Sequence, residues 1–217
     1  MRSDSDRAAP AATQTPAPDA GEARVNEVSP VLHWLAGIYL AVAGWRIDGD
    51  PPSEAKYVLV AAPHTSNWDV PHMLAIAFRC RVRIRWAGKH TLFQPPFGAF
   101  MRWLGGIPID RTAQHGAVEQ LAEAMQRADR MVLAISPEGT RRRTAFWRSG
   151  FYHIARLAQV PLVPGVLDYR SKTAIFGPVF WPSGDVREDM DWLRRFFEGR
   201  SGCHPEQFGP VRLRREE

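Results

Sequence analysis

The sequence predicts a single α/β domain in which a mixed, largely parallel sheet is flanked by helices. Short apolar segments typical of buried strands alternate along the chain with longer segments of helical periodicity, and this alternation is characteristic of α/β folds. The length of 217 residues suits one domain, and a content of 45% hydrophobic and 24% charged residues is that of a folded globular protein.

The first residues of the chain differ in composition from the rest. Residues 1–28 are rich in Ala, Pro, Thr, Asp and Ser and contain almost no large apolar side chains. Such a segment cannot bury enough surface to offset the entropy cost of ordering it. We therefore expect a disordered tail over 1–28 and a folded domain over 29–217. No apolar segment closely follows Arg2, so the pattern of a secretory signal is missing.

The folded domain begins with an apolar segment, VLHWLAGIYLAVAGW at 31–45, whose polar exception is His33. A helix needs about 20 residues to span a bilayer, so this segment is too short to cross one. It contains Trp34, Tyr39 and Trp45, residue types that favour a membrane interface. We expect a helix that lies in the interface, with an ordinary buried helix as the alternative.

The remaining elements are predicted from apolar periodicity and from turn residues. Strands are expected at 57–62, 82–86, 131–135, 162–167 and 174–180. Helices are expected at 71–79, 97–104, 113–127, 149–158 and 187–197. In the second strand, Arg81, Arg83 and Arg85 alternate with apolar residues. This favours a solvated or edge face, and attraction to an anionic membrane surface is the alternative.

Charge and cysteine usage limit the classes of function. The net charge of +5 and the pI of about 9.7 suit anionic partners such as phosphates or acidic lipids but are modest for a nucleic-acid-binding protein. Cys80 and Cys203 lie far apart, which excludes a disulfide framework and a zinc ribbon and favours a reducing compartment. The histidines have no metal-ligand spacing, so we expect no metal. GxSxG, GxGxxG and P-loop motifs do not occur in the sequence.

The first candidate site is the segment HTSNWD from His64 to Asp69, which follows a predicted buried strand. The two residues can pair only if His64 lies in a strand-to-helix turn, and Pro63 supports such a turn. Ser66 or Asn67 can cap the next helix, whose first turn then contains Asp69. A carboxylate beside one imidazole nitrogen leaves the other free to accept a proton from an alcohol. The alternative is a pair that only stabilises the turn.

The second candidate site is the segment SPEGTR from Ser136 to Arg141, which follows the predicted strand at 131–135. Gly139 lets the backbone approach a ligand closely, Thr140 offers a hydroxyl, and Arg141 can bind a phosphate through two parallel hydrogen bonds. Since the strands of one sheet bring such loops together, we expect this segment near the first. A solvated basic turn is the alternative.

A third segment, GGIPIDR, ends at Arg111, which can supply a fixed positive charge. The three segments together contain one base, no evident nucleophile paired with it, and two arginine-bearing loops. This combination suggests an alcohol acceptor that carries a phosphate, and direct transfer of a group to that alcohol.

These segments resemble the glycerolipid acyltransferases of the 1-acyl-glycerol-3-phosphate (lysophosphatidate) acyltransferase type. Four blocks occur in the order of that family: HxxxxD at 64–69, GGIPIDR ending at Arg111, PEGTR at 137–141 and VPLVP at 160–164. Four ordered blocks are far more specific than HxxxxD alone, and the resemblance covers roughly residues 55–168.

The resemblance implies that His64 deprotonates an acceptor hydroxyl, that Asp69 orients His64, and that no acyl-enzyme forms. It implies an acyl-CoA or acyl-ACP thioester as donor, no cofactor, and a lysophospholipid acceptor, first of all 1-acyl-glycerol-3-phosphate, in phospholipid biosynthesis. A backbone amide of the turn at 65–67 is a candidate to stabilise the thioester oxyanion. The residues implied to bind the acceptor are Arg111, Glu138, Gly139, Thr140 and Arg141.

The expected partners are the acyl thioester donor, the lysophospholipid acceptor, a membrane surface and, with acyl-ACP, the acyl carrier protein; nucleic acid is not among them. The expected location is the cytoplasmic face of a membrane, as a peripheral or monotopic protein. Two alternatives are another lyso-lipid acceptor and a non-catalytic lipid-binding protein of the same fold. A third alternative is a hydrolase in which His64 activates water. The two arginines argue against it, because water carries no phosphate for them to bind.

Overall fold

A computed structural model describes residues 28–109 and 116–216 of the chain. The predicted tail, except for its last residue, and Arg111 therefore lie outside the described residues. That last residue, Val28, is buried. The described residues form the α/β fold that the sequence predicts, with one mixed sheet between two layers of helices.

Seven strands form the sheet in the part of the chain that the structure describes. Their bounds are Arg46–Asp48 (β1), Lys56–Ala61 (β2), Ile84–Lys89 (β3), Gly106–Ile109 (β4), Met131–Ile135 (β5), Leu162–Asp168 (β6) and Thr173–Phe176 (β7). The spatial order is β1-β7-β6-β2-β5-β3-β4. The five strands from β6 to β4 are parallel, whereas β7 runs antiparallel to β6 and β1 runs parallel to β7. The parallel strands therefore end at a common edge.

The α-helices of the described residues are Pro30–Ala43 (α1), Asp69–Arg79 (α2), Gly98–Trp103 (α3), Ala117–Arg127 (α4), Gly150–Ala158 (α5) and Val186–Phe197 (α6). α1 begins where the Ser29 hydroxyl accepts a hydrogen bond from the Leu32 amide at 3.2 Å, and it ends at Gly44, whose φ is +72°. α6 begins where the Asp185 carboxylate accepts hydrogen bonds from two backbone amides.

From Tyr57 onward, β2 is a continuous apolar run because both of its faces are buried. Val58 and Val60 face a core that also contains side chains of α4, α5 and α6. Tyr57 and Leu59 face the opposite side, where α2 packs. Since alternate residues point to opposite faces of a sheet, burial of both faces requires apolar residues at every position. α1 extends the α2 side through a further small core around Ala36 and Leu40.

Several predicted boundaries need correction. The short edge strands β1 and β4 were not predicted, because three or four residues carry little periodicity. The strand predicted at 174–180 ends at Phe176. Of the helix predicted at 113–127, residues 113–115 lie outside the described residues, Gly116 lies in a turn, and the helix runs from Ala117. β3 begins only at Ile84 and lies between β5 and β4. The interpretation of the arginine-bearing strand as an edge is therefore wrong, whereas the interpretation as a solvated face agrees with the exposure of Arg81 and Arg85.

Candidate active site

The turn between β2 and α2 brings His64 and Asp69 together. His64 lies in the turn, and Asp69 is the first residue of α2. The Nδ1 atom of His64 is 3.0 Å from the Oδ2 atom of Asp69. The predicted pairing is therefore confirmed as geometry. The expected side-chain cap is not present: Ser66 instead accepts a hydrogen bond from the Trp68 amide at 3.1 Å, and the helix has no side-chain N-cap.

The Asp69 carboxylate is buried and accepts four hydrogen bonds. Its Oδ2 atom accepts from His64 and from the backbone amides of Thr65 and Ser66, each amide at 2.9 Å. Its Oδ1 atom accepts from the Tyr169 hydroxyl at 2.6 Å. Burial acts to raise the pKa of Asp69, but the hydrogen bonds from His64, Tyr169 and Ser66 outweigh burial, so the pKa lies below its ordinary value.

This environment determines which nitrogen of His64 carries the proton. An ionised Asp69 can only accept hydrogen bonds. The proton of a neutral His64 is therefore on Nδ1, which donates a hydrogen bond to Oδ2. The Nε2 atom is then an unprotonated acceptor. The His64 side chain is 25% exposed, which leaves it open to a ligand. The pair therefore has the arrangement of a general base with an orienting carboxylate.

Glu138 connects the second candidate segment to the first. It is 4% exposed, and its Oε2 atom accepts hydrogen bonds from the His64 backbone amide at 2.8 Å and from the Ser136 hydroxyl at 3.2 Å. Its Oε1 atom is buried and has no hydrogen-bond partner among the described residues. Burial raises the pKa of Glu138 to about 7. The two loops thus meet as predicted, whereas a contact of Glu138 with an acceptor stays a prediction.

The rest of the PEGTR block turns outward at the end of β5. Gly139 has a φ of +66°, in the left-handed region, and a Cβ atom there would lie only 2.6 Å from the Arg148 side chain. Thr140 and Arg141 are exposed. The Thr140 hydroxyl accepts a hydrogen bond from the Arg142 amide at 3.3 Å. Thr140 and Arg141 are thus accessible, whereas Gly139 is half-buried, and the role of all three in binding an acceptor stays a prediction.

The backbone amides of the turn are largely engaged. The amide of His64 donates to Glu138, and the amides of Thr65 and Ser66 donate to Asp69. An amide that already donates to a carboxylate is not available for a thioester oxyanion. The expectation of an oxyanion donor in this turn therefore does not hold for Thr65 and Ser66, and it stays a prediction for Asn67.

An apolar cavity of ≈ 170 Å³ opens beside the pair, between α2 and the sheet. His64 and Asp69 lie at one end, and Tyr57 and Val82, at the amino-terminal end of the sheet, lie at the other. Its walls are mostly aliphatic and aromatic side chains, among them Leu59, Met73, Ile76 and Phe176. The sequence did not reveal this cavity, because the apolar residues that line it have the pattern of ordinary core.

Sequence reasoning also missed Tyr169. It directly follows β6, the neighbour of β2, at the edge where His64 and Glu138 lie. The available signal was its position as a polar residue just after a third parallel strand. The fourth block, VPLVP at 160–164, leads into that strand, which begins at Leu162, and its Val163 is fully buried.

α1 presents an apolar surface on its outward side. Ala36 and Leu40 are buried, whereas Trp34 is 64% and Val42 is 84% exposed. The further exposed large apolar residues of this helix are Val31, Leu35 and Ile38. Among the described helices, none combines the length and the hydropathy required to cross a bilayer.

Comparisons with known proteins agree with the motif resemblance. A family model described as Acyltransferase matches residues 46–168. The chain is 28% identical over 151 residues to the 1-acyl-sn-glycerol-3-phosphate acyltransferase of Haemophilus influenzae, covering 65% of this chain and 61% of that protein. It is 28% identical over 172 residues to the human 1-acyl-sn-glycerol-3-phosphate acyltransferase beta, covering 75% and 61%. The matched part thus spans about 61% of the length of each of these relatives.

A solved structure shares the fold. The crystal structure of the 1-acyl-sn-glycerophosphate (LPA) acyltransferase PlsC from Thermotoga maritima matches with a TM-score of 0.54 at 15% identity. The match covers 84% of this chain and 83% of that one. At this identity the likeness establishes a common architecture.

Proposed function

Because the chain belongs to the Acyltransferase family, we propose that it is an O-acyltransferase that moves a fatty acyl group from a thioester to the free hydroxyl of a lysophospholipid. The names of its relatives favour 1-acyl-glycerol-3-phosphate as acceptor, and hence a role in phospholipid biosynthesis. The observation that carries the proposal is the His64–Asp69 pair at one end of an apolar cavity.

The proposed reaction is one direct displacement. Nε2 of His64 takes the proton of the acceptor hydroxyl as the hydroxyl oxygen attacks the thioester carbonyl. The C–S bond breaks, the thiolate leaves, and the proton passes from His64 to the thiolate, which regenerates the neutral imidazole. Asp69 keeps the proton on Nδ1 and stabilises the imidazolium that forms during the attack. No side chain becomes acylated.

The apolar cavity is the proposed site of the donor acyl chain. Its end near His64 is where the thioester carbonyl has to lie, and its walls are apolar as far as Tyr57. Transfer of each methylene from water into such a site contributes about 0.8 kcal/mol, so a long chain can be bound without a polar contact. The thiol carrier, CoA or acyl carrier protein, would remain outside the cavity.

The exposed end of the PEGTR block is the proposed site of the acceptor phosphate. Arg141 is exposed just beyond the carboxyl end of β5, next to the strand that leads to His64. Its guanidinium can bind a phosphate through two hydrogen bonds, and Thr140 can add a hydroxyl. We propose Arg111 as a second arginine for this phosphate on the basis of the motif.

A membrane surface is the proposed source of both lipid substrates. The exposed side of α1, with Trp34 and Val42, supplies the apolar contact for a peripheral or monotopic protein, and we expect the cytoplasmic face. Aromatic and aliphatic side chains on one side of a short helix suit insertion at the level of the lipid headgroups.

The test is the release of free thiol from oleoyl-CoA and from oleoyl-ACP by the purified protein in detergent, with and without 1-acyl-glycerol-3-phosphate. His64→Ala should abolish the release, and His153→Ala, on α5 at the other face of the sheet, should keep it. Release that needs both the acceptor and His64 supports the transferase. Release without acceptor would indicate a thioesterase, and no release from either donor would favour a non-catalytic lipid-binding protein.

A further inference from the structure

We propose that Tyr169 is a positioning residue for the transfer. Its hydroxyl holds the Asp69 carboxylate in the plane that directs Oδ2 at His64. The proposal rests on the proposed function for its catalytic consequence. Neither the four sequence blocks nor the expected acceptor site includes this residue.

The two oxygens of Asp69 are held by different groups. Oδ2 accepts from His64 and from two amides of its own turn, whereas Oδ1 accepts from the Tyr169 hydroxyl, 100 residues away in sequence, at 2.6 Å. Among the described residues, no other donor to Oδ1 is found. A carboxylate can rotate about its bond to Cβ, so a donor on each oxygen is what fixes its plane.

Tyr169 is itself held firmly. Its backbone amide donates to the Ser201 carbonyl oxygen at 2.9 Å. Its ring packs edge-to-face on Trp45 at 5.0 Å between centroids and contacts the His72 ring at 5.9 Å. Burial and the neighbouring Asp69 raise the pKa of Tyr169, so the hydroxyl stays protonated and donates its hydrogen bond. A donor fixed on a rigid ring is suited to orient a carboxylate.

One substitution distinguishes the role of the Tyr169 hydroxyl from that of its aromatic ring. Tyr169→Phe keeps the contacts with Trp45 and His72 and removes only the donor to Oδ1. The carboxylate, which is 6% exposed, then has a buried oxygen without a partner and can turn away from His64. The Nδ1 proton loses its fixed acceptor, so the fraction of His64 with an unprotonated Nε2 decreases.

We expect Tyr169→Phe to lower kcat on the order of 10-fold to 100-fold, the range set by a hydrogen bond to a charged group, with the KM of donor and acceptor little changed. The matched control is Tyr152→Phe. The Tyr152 hydroxyl also donates to a buried carboxylate, Oδ2 of Asp189, at 2.6 Å, but it lies on α5 and away from His64. This control removes the same kind of bond and should keep kcat.

A second measurement reports on His64 without turnover. The two imidazole nitrogens have well-separated chemical shifts when one tautomer dominates, and these shifts converge when the tautomers mix. In protein labelled at its histidine nitrogens and held above the pH at which imidazoles titrate, the His64 signals, assigned from their absence in His64→Ala, should be well separated. Tyr169→Phe should bring them together, and Tyr152→Phe should leave them unchanged.

The outcomes are distinct. A lower kcat with converging His64 signals supports the proposal. Unchanged signals in Tyr169→Phe, or a kcat within twofold of the parent, would overturn it. A parent protein that transfers no acyl group would refute the proposed function instead, while the nitrogen shifts would still decide whether Tyr169 sets the geometry of the pair.

Discussion

The buried carboxyl group of Glu138 predicts an unusual dependence of stability on pH. Glu138→Gln replaces it by a neutral side chain of the same shape that can still accept the hydrogen bonds from the His64 amide and the Ser136 hydroxyl. The substitution therefore removes the ionisation and keeps the packing. Any difference between parent and variant that changes with pH then reports on the ionisation of Glu138.

The magnitude follows from the pKa of Glu138, which is about 7 in the folded protein against 4.5 as its ordinary value, because burial disfavours the charged form. Each tenfold change in proton affinity corresponds to about 1.4 kcal/mol, so proton binding at Glu138 contributes about 3 kcal/mol to the free energy of unfolding where it is fully present. The folded state binds the proton more tightly than the unfolded state. The contribution is therefore fully present below pH 4.5 and is lost as the pH rises through about 7.

The assay is urea unfolding followed by tryptophan fluorescence at several values between about pH 5 and about pH 8. The free energy of unfolding of the parent minus that of Glu138→Gln should fall by roughly 2 to 3 kcal/mol over this range, because other groups titrate in both proteins and cancel. Glu123→Gln, a surface change on α4, should give a nearly constant difference. A constant difference for Glu138→Gln as well would refute the buried, proton-binding carboxyl group.

Two further predictions concern the acceptor and the membrane. Arg141→Ala should raise the KM of the acceptor about 10-fold or more and leave the KM of the donor unchanged. Arg130→Ala, at the opposite end of β5, should change neither KM, and an effect of Arg141→Ala on the donor alone would reassign Arg141 to the thioester. The double variant Trp34→Ser with Val42→Ser should lower binding to anionic lipid vesicles at least tenfold in a sedimentation assay. Trp181→Ser, which changes another exposed tryptophan, should not lower it, and an equal loss in both variants would argue against α1 as the contact.

The central strands could be predicted because burial constrains every residue in them. β2 and β5 are covered on both faces, so their sequences are unbroken apolar runs, from Tyr57 in β2 and from Met131 in β5. β1 and β4 lie at the two edges of the sheet and are three and four residues long, which leaves too few positions for a period to be visible. The fold class thus depends on the elements that sequence periodicity specifies best.

The candidate site was predictable where it is local in sequence. His64 and Asp69 lie in one turn, and the spacing of five residues restricts them to a strand-to-helix turn. The contacts of Glu138 and Tyr169 join residues 74 and 100 positions apart, and no local pattern contains that information. Only the pairing of β2 with both β5 and β6 brings these residues to one edge.

The two buried carboxyl groups next to His64 have pKa values shifted in opposite directions, because they accept different numbers of hydrogen bonds. Asp69 receives four hydrogen bonds, enough to keep it ionised despite burial. Glu138 receives two, both on Oε2, and burial prevails. The ionised group orients the imidazole, and the other holds the backbone amide of the same residue. Since Tyr169, His64 and Glu138 follow the adjacent strands β6, β2 and β5, the direction of Nε2 depends on three strands keeping their register.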